Sequence, residues 1–421
     1  MADSSIPPLK PLYGPDDAPG RHDPLRGAAG WDIRAEVRRP SEALEALEGG
    51  ATSLLLKTPE VEAALQGVVL EAAAAALDAG FAGPEAARRL AAAGRGSPSA
   101  RLALHLDPLS AFAGEGRSPG PIAAHLERAA AAALAIAETY PAASLMLASG
   151  RAAHEAGGTP AQELGMMAAA ALAYAKALDA AGAPPAQAFP RIALGLSVSG
   201  EHLVSLAKLR AARLIWARLT GACDVSAPVV IEARSSERML AGTDPWTNLL
   251  RLTAAGFAGA VGGADAVVLG GFTDALGAPD QRTRRLSRNI QLILRDEAGL
   301  AVSPDPGAGA WAIEAVTLEL ARAGWAELQA IESEGGLVEA LKRGRLARDV
   351  AAQAAAEAEA VAQDQRPILG VTLYPDPHPG AVAVEPETAP DWPDARLEGP
   401  DGECPPLTPV RLSAAAEGRA A

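Results

Sequence analysis

The 421-residue chain has only two cysteines, and they suggest neither a disulfide scaffold nor a metal site. Cys223 and Cys404 lie far apart in the sequence, and neither belongs to a CxxC motif. The six histidines are scattered and form no HxxxH or HExxH pair, so no metal ligand is expected on this chain. Such sparse cysteine usage is typical of a reducing cytoplasm.

A net basic charge and long apolar runs are also missing. The formal net charge is −14, whereas nucleic-acid binding needs a basic surface. No run of about eighteen apolar residues free of charge occurs, so no membrane-spanning helix is expected. The N-terminus, MADSSIPPLKPLYG, lacks the basic start and apolar core of a secretory signal. We therefore expect a cytoplasmic protein that binds neither nucleic acid nor membrane.

Six short apolar runs, each bounded by Gly, Pro or Asp, recur along the chain and are too short for helices. They are SLLLK (53–57), RLALHLD (101–107), SLMLASG (144–150), RIALGLSVSG (191–200), APVVIEAR (227–234) and ADAVVLGG (264–271). Ala-rich stretches with helical periodicity separate them, for example 160–178 and 202–219. This alternation indicates a parallel sheet covered by helices, and its length favours a closed (β/α)8 TIM barrel over a doubly wound sheet. The last two strands of the barrel remain unplaced, and one of them is expected just before 301–310.

The two ends of the chain differ from its middle. Residues 1–40 are predicted to be an extended N-terminal arm, because residues 1–30 are rich in Pro, Gly and Asp. Residues 41–365 form the predicted barrel. Residues 366–421 are Pro- and acid-rich and are interpreted as a linker-like tail draped over the surface. Trp31, in the arm, is expected to contact another subunit.

Several long segments, taken in order, resemble the methylmalonyl-CoA mutase family. They are KLRAARLIWARL (208–219), TDPWTNLLR (243–251), ALGAPDQRTRRLSRNIQLILRDEAGL (275–300) and DPGAGAWAIEAVTLELARAGWAELQAIESEGGLVEAL (305–341). KPLY (10–13) and WDIR (31–34) look like pieces of the family's arm, ASGRAAHEAGGTPAQEL (148–164) like an active-site segment, and ILGVTLYP (368–375) like the barrel exit. The resemblance implies a barrel that encloses an acyl-CoA while adenosylcobalamin supplies a radical. Catalytic groups would then lie at the C-terminal ends of the strands.

At the family's catalytic positions this chain carries other residues. Arg26 replaces an arm tyrosine, and Arg151 and Ala152 replace a Tyr-His pair that follows Ser-Gly. Alanine can donate neither a proton nor a hydrogen bond. Glu232 and Arg234 replace a His-x-Gln pair. A His-Thr-Asn run is replaced by Val268, Leu269 and Gly270. No catalytic residue is therefore predicted.

The family's cobalamin-binding domain has no counterpart in this sequence. Its signature is DxHxxG, and in DPHPGA (376–381) the glycine falls one place early. Only about forty residues follow, whereas a flavodoxin-like domain needs on the order of a hundred. The family's substrate-gripping insert is missing as well. Two acidic positions survive in type, Glu155 and Asp274, and the resemblance marks them as vestigial cofactor-binding residues.

The resemblance implies a small (beta), non-catalytic subunit of a heterodimeric methylmalonyl-CoA mutase-type isomerase. The large catalytic subunit would then bind the adenosylcobalamin, and none is expected on this chain. One alternative is the barrel of a split acyl-CoA mutase whose cobalamin domain is on another chain. Another is a repurposed acyl-CoA-binding barrel.

Two groups of basic residues have two interpretations each. Arg151 and Arg234 could form an anion site for CoA phosphates, or they could pair with Glu155 and Glu232 in a degenerate site. Pairing is favoured, because burial of an unpaired charge is costly. The stretches KLRAAR and TRRLSR could bind a partner or phosphate, but such residues are more typical of solvated helix faces.

Overall fold

The computed structural model describes residues 9–17, 30–97, 99–387 and 389–417. Eight parallel strands close into a barrel in chain order, with the last strand paired to the first. They are β1 (Asp32–Val37), β2 (Ser53–Leu56), β3 (Ala74–Leu77), β4 (Leu102–Leu106), β5 (Ser144–Ser149), β6 (Ile192–Val198), β7 (Ile231–Ser235) and β8 (Ala266–Val268). The predicted (β/α)8 TIM barrel is thus confirmed.

Helices cover the outside of the barrel. They are α1 (Ser41–Glu48), α2 (Val61–Ala64), α3 (Gly83–Ala93), α4 (Pro108–Glu115), α5 (Ile122–Ala137), α6 (Arg151–Glu155), α7 (Pro160–Ala180), α8 (Pro185–Ala188), α9 (His202–Gly221), α10 (Asn248–Val261), α11 (Gln281–Leu292), α12 (Trp311–Ser333), α13 (Leu337–Arg343), α14 (Arg345–Ala362) and α15 (Ala414–Glu417). The long helix α12 packs against both α7 and α9. Residues 15–17 of the arm lie against α12 as well.

Local sequence fixes where several of these helices begin. Thr159 and Gln162 form a reciprocal capping box at the start of α7, with Pro160 in its first turn. The Asp280 carboxylate accepts a 2.7 Å hydrogen bond from the Thr283 amide at the start of α11. These caps satisfy amides that have no partner within their own helix.

All six apolar runs predicted as strands are strands. The expectation that the two missing strands are the last two of the barrel was wrong, because they are β1 and β3. The expectation of a strand just before 301–310 was wrong, because the chain there forms turns. β1 lies within the range 1–40 predicted as an arm and pairs with both β2 and β8. Charged residues that face the barrel interior made β1 look like a polar segment in the sequence. β3 lies in the run EAAAAAL, where tertiary pairing overrides the helix propensity of alanine.

Trp31 packs within its own barrel, which corrects its predicted role at a subunit contact. Its side chain is buried, and its indole N–H donates to the Gln291 side-chain oxygen of α11 at 3.1 Å. The tryptophan therefore anchors the entry to β1. The segment is drawn inward because the following strand belongs to the barrel.

The predicted tail segment runs along the rim at the C-terminal ends of the strands. Residues 384–385 pair with 278–279, and residues 402–403 pair with 117–118, both antiparallel. Leu407 is buried against the main core, and the Val410 amide donates to the Glu155 carbonyl at 2.8 Å. These contacts spread the segment across several of the loops that follow the strands.

The apolar core lies mainly between the barrel and its helices, with a smaller cluster separate from it. That cluster consists of Leu55, Ala76, Ala103 and Val268, one residue from each of four strands. Among the described residues no single helix is long and apolar enough to cross a membrane, and only the bent pair Pro160–Ala180 and Pro185–Arg191 meets the criterion jointly. Because α7 is largely buried among other elements, that pair reads as core packing.

Candidate functional site at the barrel mouth

A chain of charged side chains crosses the barrel interior near the C-terminal ends of its strands. Arg34 on β1 donates through Nε to the Ser53 hydroxyl at 2.8 Å and through Nη1 to the Glu232 carboxylate on β7. Arg234 donates through Nε to Glu232 Oε1 at 2.6 Å and through Nη1 to Asp78 Oδ2 at 2.5 Å. Glu232 thus lies between two guanidinium groups, with only 1% of its surface exposed.

The network is charged and internally balanced. Burial opposes ionisation of Glu232, but Arg234, His105 and Arg34 hold its pKa far below the ordinary value. Burial also opposes ionisation of Asp78, yet Arg234 and the nearby Lys57 lower its pKa to about 2. Two carboxylates therefore neutralise two guanidinium groups, and each of the four charges has a partner of opposite sign.

His105 on β4 lies beside this network in an unusual backbone conformation. Its φ of 47° falls in the left-handed region, and the pairing register of β4 with β5 shifts at this point. Its Nδ1 lies 3.7 Å from Glu232 Oε2 and makes no hydrogen bond. Burial lowers the pKa of His105 to about 4, so the imidazole is neutral at pH 7. The sequence had offered no reason to single out this histidine.

A second charged cluster lies at the ends of β1, β2 and β8. Glu36 accepts from Arg38 at 3.1 Å and from Lys57 at 3.4 Å, while Arg38 lies 3.9 Å from Asp274. Burial opposes ionisation of Glu36, but Lys57 and Arg38 lower its pKa to about 2. Asp274 is instead dominated by its burial, which raises its pKa to about 7 despite a 2.7 Å hydrogen bond from the Gly271 amide.

Arg151 and Glu155 are paired with each other at the end of β5. Their closest atoms, Nη2 and Oε1, lie 3.6 Å apart. The Glu155 carboxylate also accepts from the hydroxyls of Ser197 at 3.0 Å and Ser236 at 3.3 Å. It also accepts hydrogen bonds from the backbone amides of residues 237 and 238. Together with the Glu232–Arg234 contact, this favours the pairing interpretation over an anion site for both arginines.

Two other positions predicted from the sequence offer no free group to a ligand. Ala152, half-buried on α6, brings no functional group to the mouth. The Gly270 amide donates to Ser235 Oγ at 2.8 Å, and its carbonyl accepts from Ser287 Oγ at 2.7 Å. Arg26 lies outside the described residues. The structure therefore brings Glu232 and Arg234 together, but it places Arg151 in a separate pair.

One cluster that the sequence did not predict is arranged like the Ser-His-acid triad of a hydrolase. It consists of Ser236, His154 and Glu163. His154 Nε2 lies 2.9 Å from Ser236 Oγ, and its Nδ1 lies 3.3 Å from Glu163 Oε2. The Ser236 hydroxyl, however, donates to Glu155, whose carboxylate also occupies the two neighbouring amides. An oxyanion would need those donors. The cluster therefore holds Glu155 in place and does not activate a nucleophile.

The prediction of solvated basic helix faces was wrong for three residues. Lys208 is buried and ion-paired with the fully buried Glu163. Arg210 is buried between Asp305 and Glu314, at 2.6 and 2.7 Å. Arg288 is buried too, with Glu45 at 3.4 Å. These cations join the outer helices to one another, because each neutralises an acid from another helix or loop.

Comparisons with known proteins agree with this architecture. A family model described as methylmalonyl-CoA mutase matches residues 49–391. The methylmalonyl-CoA mutase small subunit of Streptomyces virginiae is 36% identical over 398 residues, which cover 87% of this chain and 64% of that protein. The probable methylmalonyl-CoA mutase small subunit of Mycobacterium tuberculosis is 35% identical over 383 residues, covering 84% and 61%. The methylmalonyl-CoA mutase small subunit of Propionibacterium freudenreichii subsp. shermanii is 30% identical over 403 residues, covering 87% and 62%. The chain spans less than two thirds of the length of these relatives.

Proposed function

Because this chain belongs to the methylmalonyl-CoA mutase family, we propose that it is the small, non-catalytic subunit of a heterodimeric isomerase. The complex would interconvert methylmalonyl-CoA and succinyl-CoA in the cytoplasm. The relatives named above are small subunits, a name that implies a large partner subunit. That partner would carry the active site and the adenosylcobalamin.

One observation carries the non-catalytic assignment: Glu232 joins Arg34 and Arg234 across the barrel interior. A substrate acyl group in this lumen would have to displace a buried, neutralised ion network. Separation of a buried ion pair costs about 3–5 kcal/mol, which opposes substrate entry. Ala152 supplies no donor for a thioester carbonyl even if a substrate entered.

The described acids that the family resemblance connects with adenosylcobalamin support the proposal that this chain does not hold the cofactor. Glu155 and Asp274, the two acids that the family resemblance connects with the cofactor, are already engaged. Glu155 accepts four hydrogen bonds from its own chain and is ion-paired with Arg151, and Asp274 accepts the Gly271 amide and lies near Arg38. Adenosylcobalamin would supply radical chemistry on the partner.

Co-expression with a longer homologue that has the Tyr-His pair and the DxHxxG signature tests the proposal. A tag on this chain should recover both subunits in equal amounts, and the pair should convert methylmalonyl-CoA when adenosylcobalamin is added. This chain alone should be inactive. A large subunit that is equally active and stable without this chain would overturn the proposal. Turnover by this chain with only a separate cobalamin domain would instead favour a split mutase.

A further inference from the structure

A cavity lies on the rim of the barrel, next to His154 and Ser236. Its volume is about 440 Å³, within the range of small-molecule sites. It is bounded by the loops that follow β6 and β7, the first turns of α10, and residues 366–369 and 412–413. Its apolar walls come from Met239, Leu250, Ala254, Ile368, Leu369 and Leu412. We refer to it as the rim cavity.

Three arginines line the rim cavity, and acids neutralise two of them. Arg238 is ion-paired with Glu357, which is buried behind the wall. Arg366 is paired with Glu357 at 3.3 Å and with Glu201, the carboxylate that lines the cavity itself. Two carboxylates therefore neutralise these two arginines. The lining has one further positive charge, on Arg251.

Arg251 is held by neutral acceptors only. Its Nη1 donates to Asn248 Oδ1 and its Nη2 to the Leu369 carbonyl, both at 2.7 Å. Within the part of the chain that the structure describes, no carboxylate oxygen lies within 4 Å of its guanidinium group. Asp244 influences it from further away, while its own carboxylate accepts from the hydroxyl and amide of Thr247. Two of five guanidinium donors are thus used, and the group stays fixed in orientation.

A half-buried guanidinium group with spare donors is suited to a carboxylate, which it can bind through two hydrogen bonds. The walls around it are apolar, so they would gain free energy by covering an aliphatic chain. A purely apolar ligand would leave Arg251 without a counter-charge. A small inorganic anion would leave the apolar walls exposed to water. We propose that the rim cavity binds a medium-chain carboxylic acid, with Arg251 holding the carboxylate and the chain lying between Leu250 and Leu412.

Calorimetric titration of the full chain with octanoate tests this site. We expect saturable binding with one site per chain. Octanol and octylamine, which have the same chain length, should bind at least tenfold more weakly, because a charge-assisted hydrogen bond contributes roughly 1.5–3 kcal/mol. Octanol that binds as tightly as octanoate, or an absence of octanoate binding, would overturn the proposal.

Variants locate the ligand within the cavity. R251Q should weaken octanoate binding by roughly tenfold or more, and R251K by less, since lysine keeps the charge but loses the two-pronged geometry. A254F should block the cavity without removing any charge. The matched control is R88Q, at an exposed arginine of α3 that is paired with Glu85. Equal affinity of R251Q and R88Q for octanoate would show that Arg251 is not the carboxylate site.

This inference does not depend on the role proposed for the whole chain. R251Q should still co-purify with a large subunit, because the substitution removes a donor from a cavity and leaves the barrel intact. Melting temperatures of all variants show whether they are folded. If R251Q alone fails to fold, R251K and A254F still decide the question through their octanoate affinities.

Discussion

The barrel mouth and the rim cavity are both rich in arginine, yet they differ in what neutralises it. In the mouth, Arg34 and Arg234 are ion-paired with Glu232 and Asp78. In the rim cavity, Arg251 meets only neutral oxygens and faces open apolar walls. Local charge balance therefore separates a mouth whose charges are paired with one another from a cavity that we propose to bind a carboxylate.

The largest change in stability is expected from loss of a charge in the mouth. E232Q leaves two buried guanidinium groups facing one carboxylate, and we expect it to lower the free energy of unfolding by about 3–5 kcal/mol. Urea denaturation followed by circular dichroism measures the effect. The matched control is E359Q, at an exposed glutamate of α14, which should change stability little. Equal stability of the two variants would mean that the mouth network is not a structural unit.

Asp274 provides a pH-dependent test of the mouth. Its pKa is raised from an ordinary 3.8 to about 7, so the folded state binds a proton that the unfolded state has released at intermediate pH. The sign follows: this carboxyl costs no stability below about pH 4, and stability is lost as the pH rises toward 7. D274N cannot ionise and should be spared that loss.

Melting temperatures of D274N and the wild type should therefore be close at pH 4 and diverge by several degrees at pH 8, with D274N higher. D179N, at an exposed position on α7, is the matched control and should follow the wild type at every pH. A wild type that is more stable than D274N at pH 8 would show that the Asp274 charge is well accommodated by Arg38.

How far the sequence predicts this molecule differs between fold and site. Alternation of short apolar runs with helical stretches was sufficient for the barrel, because that pattern depends on local sequence. β1 was missed because Arg34 and Glu36 face a charged interior, although Ile33, Ala35 and Val37 alternate as a strand requires. β3 was missed because its residues are nearly all alanine.

The site was predicted only where the family resemblance pointed. Glu232 and Arg234 were expected to pair because burial of an unpaired arginine is costly. Arg34, Asp78 and His105 come from three other parts of the chain, and only barrel closure brings them to Glu232. No local pattern signals such partners. The rim cavity was likewise invisible, because residues 366–369 and 412–413 complete its walls.

The smallest change in the free energy of unfolding is expected at Arg251. R251M removes a guanidinium group that burial penalises, as its lowered pKa indicates, and it leaves no carboxylate unpaired. We therefore expect the free energy of unfolding to change by less than about 1 kcal/mol in the absence of ligand. R234M, the matched substitution in the mouth, leaves Glu232 and Asp78 with one cation fewer and should cost several times more. Urea denaturation of the two variants under identical conditions measures the difference. If R251M proves as destabilising as R234M, Arg251 is part of the structure, and the distinction between a closed mouth and an open rim cavity fails.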